Sequence, residues 1–450
     1  MGENHCNSRG FSRIMKSCFP NPQQESHHLI IKPSIRNRLL EDDQKSSSFF
    51  ISVLPDDLLL ECLSRVPSSS LSSVSLVCRK WFGILNSTLY FDLRRSLGHI
   101  RRKIYAFTVT DYGVYAANHC ISNEESDESQ GEGGADSSSS AGWSLSSPFS
   151  AAGMLTQGSF SHSRVISVGK VIYIVNRDVT LGYDVWMGVI TVKSPMLYPR
   201  KKFAMANVNG KIYISGGAAR NEVVEEYEPE TDTWRVVSEA PRRRYGCIGA
   251  AVDGVFYVIG GLKIGGGGGN GKNEAMMRGG CSEAHLYASS MDLFDVQSRV
   301  WMRSRTVPGG GCVVAACAAG GYVYILASHA VELSFWRFDG RRKRNGGGGG
   351  FGEWCRMKSP PLPAQVRLDS SVRFSCVGIG GENYSSGNDN KVVLVQVLGC
   401  IDDLLRRSGR SCRGMKEGLV LVYDGNVEEW SRGVDLPEVI RRASCVSVEC

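Results

Sequence analysis

The sequence predicts a small all-α segment followed by an all-β propeller, six blades closed by the C-terminal strand. Three observations carry that prediction. A cluster of helix starts and stops lies within 49–97. From about 103 onward, apolar strands recur with the same turn, the same paired glycines and the same aromatic spacing. The first repeat lacks one strand, and the chain ends on a surplus one.

Composition narrows the class before any element is placed. A chain of 450 residues allows two or three domains, and 42% hydrophobic content is ordinary for a globular protein. No window of eighteen apolar residues occurs, so no membrane span is expected, and the N-terminus lacks the apolar stretch of a secretory signal. Met1-Gly2 invites myristoylation, but Cys6 stands where that pattern needs Ser or Thr. The 15 cysteines are scattered, with no Cys-x-x-Cys pair, which suits buried thiols in a reducing compartment better than a disulfide framework or a zinc site. A net charge of +7 is modest for this length and does not call for nucleic acid.

Residues 1–48 are polar and without period and read as a disordered tail. The helical segment follows. Pro55 suits the first turn of a helix, and Asp56 and Asp57 favour its positive end. Leu58, Cys62 and Leu63 fall on one face of that helix, and Val66-Pro67 ends it. Ser70 is placed to cap a second helix presenting Leu71, Val74 and Val77, and 79–85 forms a third around Trp81. Three such short segments bury too little to stand alone, so a partner is expected to cover their apolar side.

The clearest repeat runs over 203–241. It reads as an apolar strand (203–208), the turn Asn209-Gly210, a second strand (211–215), the doublet Gly216-Gly217, a third strand ending at Tyr227-Glu228, and a fourth around Trp234 before Pro241. Asn-Gly supplies the positive φ angles of a two-residue hairpin. The next repeat has Asp253-Gly254, Gly260-Gly261, Phe294-Asp295, Trp301 and Pro308, with its doublet 44 positions after the first. A glycine-rich insertion from Leu262 to about Ser290 lengthens its middle. Weaker copies hold Tyr183-Asp184 with Ile190 in place of the tryptophan, Phe338-Asp339 with Trp354 displaced by 341–350, and Tyr423-Asp424 with Trp430 and Pro437. Strands over 103–109 and 113–117 with Trp143 make an incomplete opening copy, interrupted by an acidic, serine-rich loop over 121–140. The final strand, 443–448, fills the vacancy and closes the ring, leaving no open sheet edge. The loops near 121–140, 262–284 and 340–350 read as disordered.

The paired glycines, the aromatic-acidic pair and the tryptophan seven residues later resemble kelch repeats. The 54–81 segment resembles an F-box. Their order resembles the plant F-box/kelch-repeat proteins, over most of the chain. The resemblance implies that Leu54, Pro55, Leu58, Leu63, Val66, Pro67, Leu71, Val77, Cys78 and Trp81 meet a Skp-type adaptor and, through it, a cullin. It also implies that the propeller binds a target protein for ubiquitination. On this reading the chain is the substrate-recognition subunit of a Skp–cullin–F-box ubiquitin ligase, non-catalytic, in the nucleus and/or cytoplasm. The alternative is a kelch interaction scaffold whose F-box does not function.

In a propeller, loops from strand two to three and from strand four to the next blade emerge on one face. They hold Arg200-Lys201-Lys202, Arg220, Arg242-Arg243-Arg244, Lys263, Arg278, Arg305, Arg367, Arg406-Arg407, Arg410, Arg413 and Arg441-Arg442, against fewer acids. Converging arginines suit carboxylates or phosphates, so Arg200, Arg242, Arg243, Arg244, Arg406, Arg407, Arg441 and Arg442 are candidate contacts for an acidic or phosphorylated substrate. The bland alternative is a solvated charged surface. Arg341-Arg342-Lys343-Arg344 belongs to the opposite face and reads either as a nuclear-import signal or as a solubilising loop. The tryptophans and their aromatic partners read as blade packing, not as a ligand box. The 8 histidines form no metal-like pair, and no phosphate-binding loop occurs, so no catalytic residue, metal or cofactor is expected.

Overall fold

The structure is a computed structural model that describes residues 54–110, 113–120, 142–146, 160–217, 222–263, 287–329, 332–342, 351–362, 372–380, 390–398 and 418–450. The N-terminal tail, most of the three loops expected to be disordered, and Arg220, Arg278, Lys343, Arg344, Arg367, Arg406, Arg407, Arg410 and Arg413 lie outside the described residues. The chain divides into a unit through Leu59 and a unit from Leu60 onward.

Helix α1 (Asp56–Ser64) begins one residue after Pro55, as the sequence requires. A short 3-10 turn (Ser68–Ser70), α2 (Leu71–Ser75), α3 (Arg79–Leu85) and α4 (Thr88–Ser96) follow. Two details differ from the sequence expectation. Ser70 makes no capping bond, because it ends the 3-10 turn at φ −97° and ψ −8°, in helical rather than extended backbone. The caps that do form are Cys78 Sγ, accepting from the Trp81 N–H at 3.5 Å, and Ser87 Oγ, accepting from the Tyr90 N–H at 3.2 Å. A fourth helix also adds Tyr90 to the apolar set, and Leu63, Leu71, Leu85 and Tyr90 are all buried.

Six antiparallel meander sheets follow. Blade 1 combines Arg102–Thr110, Gly113–Cys120 and Ser144–Leu145 with the C-terminal strand Ser444–Glu449, which pairs with Arg102–Thr110 as the closing strand. Blade 2 is Arg164–Val168, Val171–Val175, Thr180–Asp184 and Val189–Lys193; blade 3 is Ala204–Val208, Lys211–Ser215, Val223–Glu228 and Thr233–Glu239. Blade 4 is Ile248–Val252, Val255–Ile259, Ser290–Asp295 and Val300–Trp301, with Arg305–Thr306 as an added edge. Blades 5 and 6 run from Cys312–Ala319 to Trp354–Met357 and from Arg373–Ile379 to Glu429–Arg432. The first strand of each blade touches the first strands of its two neighbours, and the C-terminal strand completes the circle between blades 6 and 2. These inner strands approach so closely that a Cβ on Gly249 would lie 2.3 Å from the Met205 carbonyl oxygen.

The repeat signature has a geometric meaning. Seven residues separate each aromatic from its tryptophan because the two face each other across the outer hairpin. Tyr227 pairs with Trp234, Phe294 with Trp301 and Tyr423 with Trp430, at ring distances of 4.8, 5.0 and 5.2 Å. Ile190 occupies the same position opposite Tyr183, and Trp354 opposite Phe338 despite the intervening insertion. The indole N–H then donates to a carbonyl at or just past the end of the last strand of the preceding blade: Trp234 to Ser194 (2.8 Å), Trp301 to Glu239 (2.6 Å), Trp430 to Lys358 (2.7 Å) and Trp143 to Val434 (2.8 Å). Each ring therefore packs within its blade and ties that blade to the one before.

Candidate functional site

Two regions are candidates for recognition: the helices and the face of the propeller where its inner strands begin.

In α4, Arg94 is buried without a carboxylate partner among the described residues. Its Nη1 donates to the carbonyls of Ser64 (2.9 Å) and Val66 (2.6 Å), and its Nη2 to Ser68 Oγ (2.9 Å). A positive charge thus sits on the orphan carbonyls at the C-terminal end of α1, where the helix dipole stabilises it. The same guanidinium lies 5.6 Å from the ring of Trp186, in the outer turn of blade 2. Trp186 also meets Tyr90 edge-on at 5.8 Å and Phe91 at 5.7 Å. Lys170, in the first turn of that blade, donates to Asn86 Oδ1 at 2.8 Å and pairs with Asp184 at 3.1 Å. The seat on blade 2 is therefore built from Asn86, Tyr90, Phe91 and Arg94.

The helices also leave large apolar side chains exposed. Leu58, Leu76, Val77, Phe82 and Leu89 are 52–85% exposed. Large apolar side chains exposed on short helices are candidates for cover by another protein. The ten residues expected at an adaptor surface do not share one environment. Leu58, Val77, Pro55, Pro67 and Cys78 are exposed; Leu54, Val66 and Trp81 are half-buried. Leu63 and Leu71 are buried, at 3% and 0%. They hold the helices together instead of projecting from them, because Leu63 lies on the side of α1 turned from Leu58. The single-face expectation for Leu58, Cys62 and Leu63 is corrected accordingly. Leu76, Phe82 and Leu89 are exposed residues that the sequence reasoning passed over; their apolar character next to the Val77-Cys78-Arg79-Lys80-Trp81 run was the available signal.

On the propeller, Arg200 and Arg244 correct the expectation of an exposed arginine face. Each is 1% exposed. Arg200 pairs with Glu225 at 2.8 Å and donates to the carbonyls of Gly216 and Val223, both at 2.9 Å. Arg244 pairs with Asp292 at 2.7 Å and donates to the Gly260 carbonyl at 2.8 Å. These are equivalent clamps in blades 3 and 4, each fixing a glycine doublet. The doublets turn through positive φ, and a Cβ on Gly217 would lie 2.6 Å from the Lys201 carbonyl oxygen, one on Gly261 2.8 Å from that of Tyr245. Sequence carried a signal for the clamps, since Arg200 and Arg244 share the 44-residue offset of the doublets.

The remaining described candidates are accessible. Arg242 reaches Ser290 Oγ at 3.2 Å and Asp292 at 3.5 Å, and Arg243 pairs with Glu222 at the surface. Arg441 and Arg442 are exposed. On the opposite side, Arg342 pairs with Asp295 at 2.9 Å and Arg341 with Asp339 at 2.7 Å, so the described half of that basic run is tied to blades 4 and 5. Among the described residues no group of three His, Cys, Asp or Glu could hold a metal ion, and no helix is long and apolar enough to cross a membrane.

Comparison with known proteins adds family membership. Residues 51–91 match the F-box domain and residues 199–241 the kelch motif. The F-box/kelch-repeat protein At5g26960 of Arabidopsis thaliana is 54% identical over 456 residues, covering 100% of both chains. A second Arabidopsis thaliana F-box/kelch-repeat protein, At1g67480, is 28% identical over 225 residues, 46% of this chain and 54% of that one. A helical segment with an uncovered apolar surface, a closed ring of kelch blades and full-length identity to such a protein lead to one conclusion: this chain belongs to the F-box/kelch-repeat family.

Proposed function

We propose that the chain is the substrate-recognition subunit of a Skp–cullin–F-box ubiquitin ligase. F-box domains generally bind Skp-type adaptors, and kelch propellers generally bind protein targets; the chain has both, in that order. The observation that carries the reading is the exposed apolar set Leu58, Leu76, Val77, Phe82 and Leu89 within the matched F-box. An apolar patch of this kind supplies a few anchors for a partner groove, and such anchors dominate binding energy. The adaptor connects to a cullin, and the propeller holds the target beside a ubiquitin-charged enzyme carried elsewhere on the complex. The contribution is proximity, with no covalent step in this chain. The proposed setting is nucleus and/or cytoplasm, where the ten described cysteines remain free thiols.

The test is co-purification of the full chain with a recombinant Skp-type adaptor. Stoichiometric adaptor is expected with the native sequence and none with Leu58→Asp combined with Val77→Asp. A folded chain that never retains adaptor would instead favour a kelch scaffold with a non-functional F-box.

A further inference from the structure

Each inner strand whose approach is fully described begins two residues after a backbone position on the rim of the ring. In four blades that position is left-handed: Gly246 before blade 4 (φ 74°), Gly310 before blade 5 (φ 75°), Lys202 before blade 3 (φ 54°) and Arg442 before the closing strand of blade 1 (φ 51°). Glycine is the residue that adopts this backbone freely; a side chain there is strained. Packing does not demand one either, since a Cβ at Gly246 or Gly310 would meet nothing within 4 Å. Long basic residues nevertheless occupy the strained position in blades 1 and 3. In blade 2, between them, the equivalent residue is His162.

Other cations extend the same arc. Arg164 opens the inner strand of blade 2 and reaches along the rim, donating to the carbonyls of Phe203 (2.9 Å) and Cys247 (3.5 Å) at the starts of blades 3 and 4. Lys201 precedes Lys202, whose ammonium lies 5.7 Å from the Tyr245 ring. Arg373 opens the inner strand of blade 6 and is exposed. Among the described residues none of these four basic side chains, nor Arg442, forms an ion pair with a carboxylate. The His162 Nδ1 is buried and has no hydrogen-bond partner among the described residues. Burial lowers the His162 pKa first, and the positive charges of Lys202, Lys201, Arg164 and Arg373 lower it further, so cations from blades 2, 3 and 6 act on one imidazole. Blades 4 and 5 contribute glycine at the equivalent positions, leaving that half of the rim open.

We propose that Arg373, Arg442, His162, Arg164, Lys201 and Lys202 form an oxyanion-binding rim that takes a carboxylate or phosphate carried on a segment of the target protein. This rests on the target-capture reading above and gives its chemistry: fixed positive charge, poorly compensated from within, awaiting an anion. Strain at Lys202 and Arg442 persists because binding, not folding, uses those side chains.

The experiment follows the imidazole resonances of the full chain, labelled in histidine, while inorganic phosphate, O-phosphoserine or glutamate is added against chloride at matched ionic strength. Saturable binding that raises the His162 pKa is expected. Lys202→Gly with Arg442→Gly should weaken that binding roughly tenfold or more while leaving the melting temperature unchanged or higher, because glycine relieves the left-handed strain. A merely structural role would give the opposite pair of results. Stronger binding of O-phosphoserine assigns a phosphorylated segment; stronger binding of glutamate assigns an acidic one. Absence of saturable binding, or binding undiminished in the glycine variant, overturns the proposal. Protein targets still captured by a chain whose rim ignores all three probes would leave the receptor reading standing and remove only the rim.

Discussion

Asp292 Oδ2 lies 2.7 Å from the buried guanidinium of Arg244, whereas the next residue back, Arg243, meets Glu222 with both side chains well exposed. The two arginines therefore predict different outcomes on removal. Arg244→Met leaves the buried Asp292 carboxylate with only Ser304 Oγ at 2.6 Å and Arg242 at 3.5 Å, and should cost about 3 kcal/mol. Arg243→Met removes a solvated pair and should cost less than about 1 kcal/mol. Urea unfolding of the two variants checks this, and a double change of Arg244→Met with Asp292→Leu should recover most of the loss. At this scale the sequence was only half legible. Composition locates basic residues in the right loops, but which of three consecutive arginines turns inward is decided by a doublet carbonyl and an acid 48 residues away. The offset shared by Arg200 and Arg244 was the readable trace of that geometry.

The closing strand Ser444–Glu449 depends on one carboxylate at its end. Glu449 pairs with Arg102 at 2.8 Å and with Arg95 of α4. Burial alone would raise its pKa, but the Arg95 hydrogen bond and the Arg102 charge hold it below the usual glutamate range. A lowered carboxylate stabilises the fold above its unfolded pKa, about 4.3, and the gain disappears as pH falls through the folded value. The native chain should therefore exceed Glu449→Gln in melting temperature near neutrality, with the gap narrowing progressively below about pH 4.3. A gap that does not change with pH would contradict this assignment. The helices give a second contrast. Leu71→Ala should cost about 2–5 kcal/mol, because Leu71 is fully buried, whereas Val77→Ala should leave stability nearly unchanged and weaken the adaptor. Element order was the most legible level. The Asn-Gly and Asp-Gly turns, the doublets and the seven-residue aromatic spacing are local and encode hairpins directly. The missing first strand and surplus last strand encode ring closure. The α4 helix escaped because the period of the preceding segments gives no boundary at Ser87, and the Ser70 cap failed because a 3-10 turn already held that backbone.

Within the unit from Leu60 onward, the end of α3 contacts blade 2 through Lys170 and α4 does so through Trp186, on the side where first and second strands turn. The inner strands begin on the other side, with the basic rim. The helices of this unit and the proposed rim are thus separated by the depth of the blades, and a variant on one should leave the other intact. Lys202→Gly with Arg442→Gly should bind adaptor as the native chain does, and Leu58→Asp with Val77→Asp should bind phosphate as the native chain does. Family membership was legible from motifs, but the identity of the exposed apolar set was not, since exposure depends on which face each helix turns to its neighbours. The most direct test of the account is calorimetric titration of the purified full chain with a Skp-type adaptor at micromolar concentration. One-to-one binding is expected, with a negative heat-capacity change from apolar burial, abolished by Leu58→Asp with Val77→Asp at unchanged melting temperature. A folded chain that gives no binding heat at any temperature, and no complex on sizing, would contradict it.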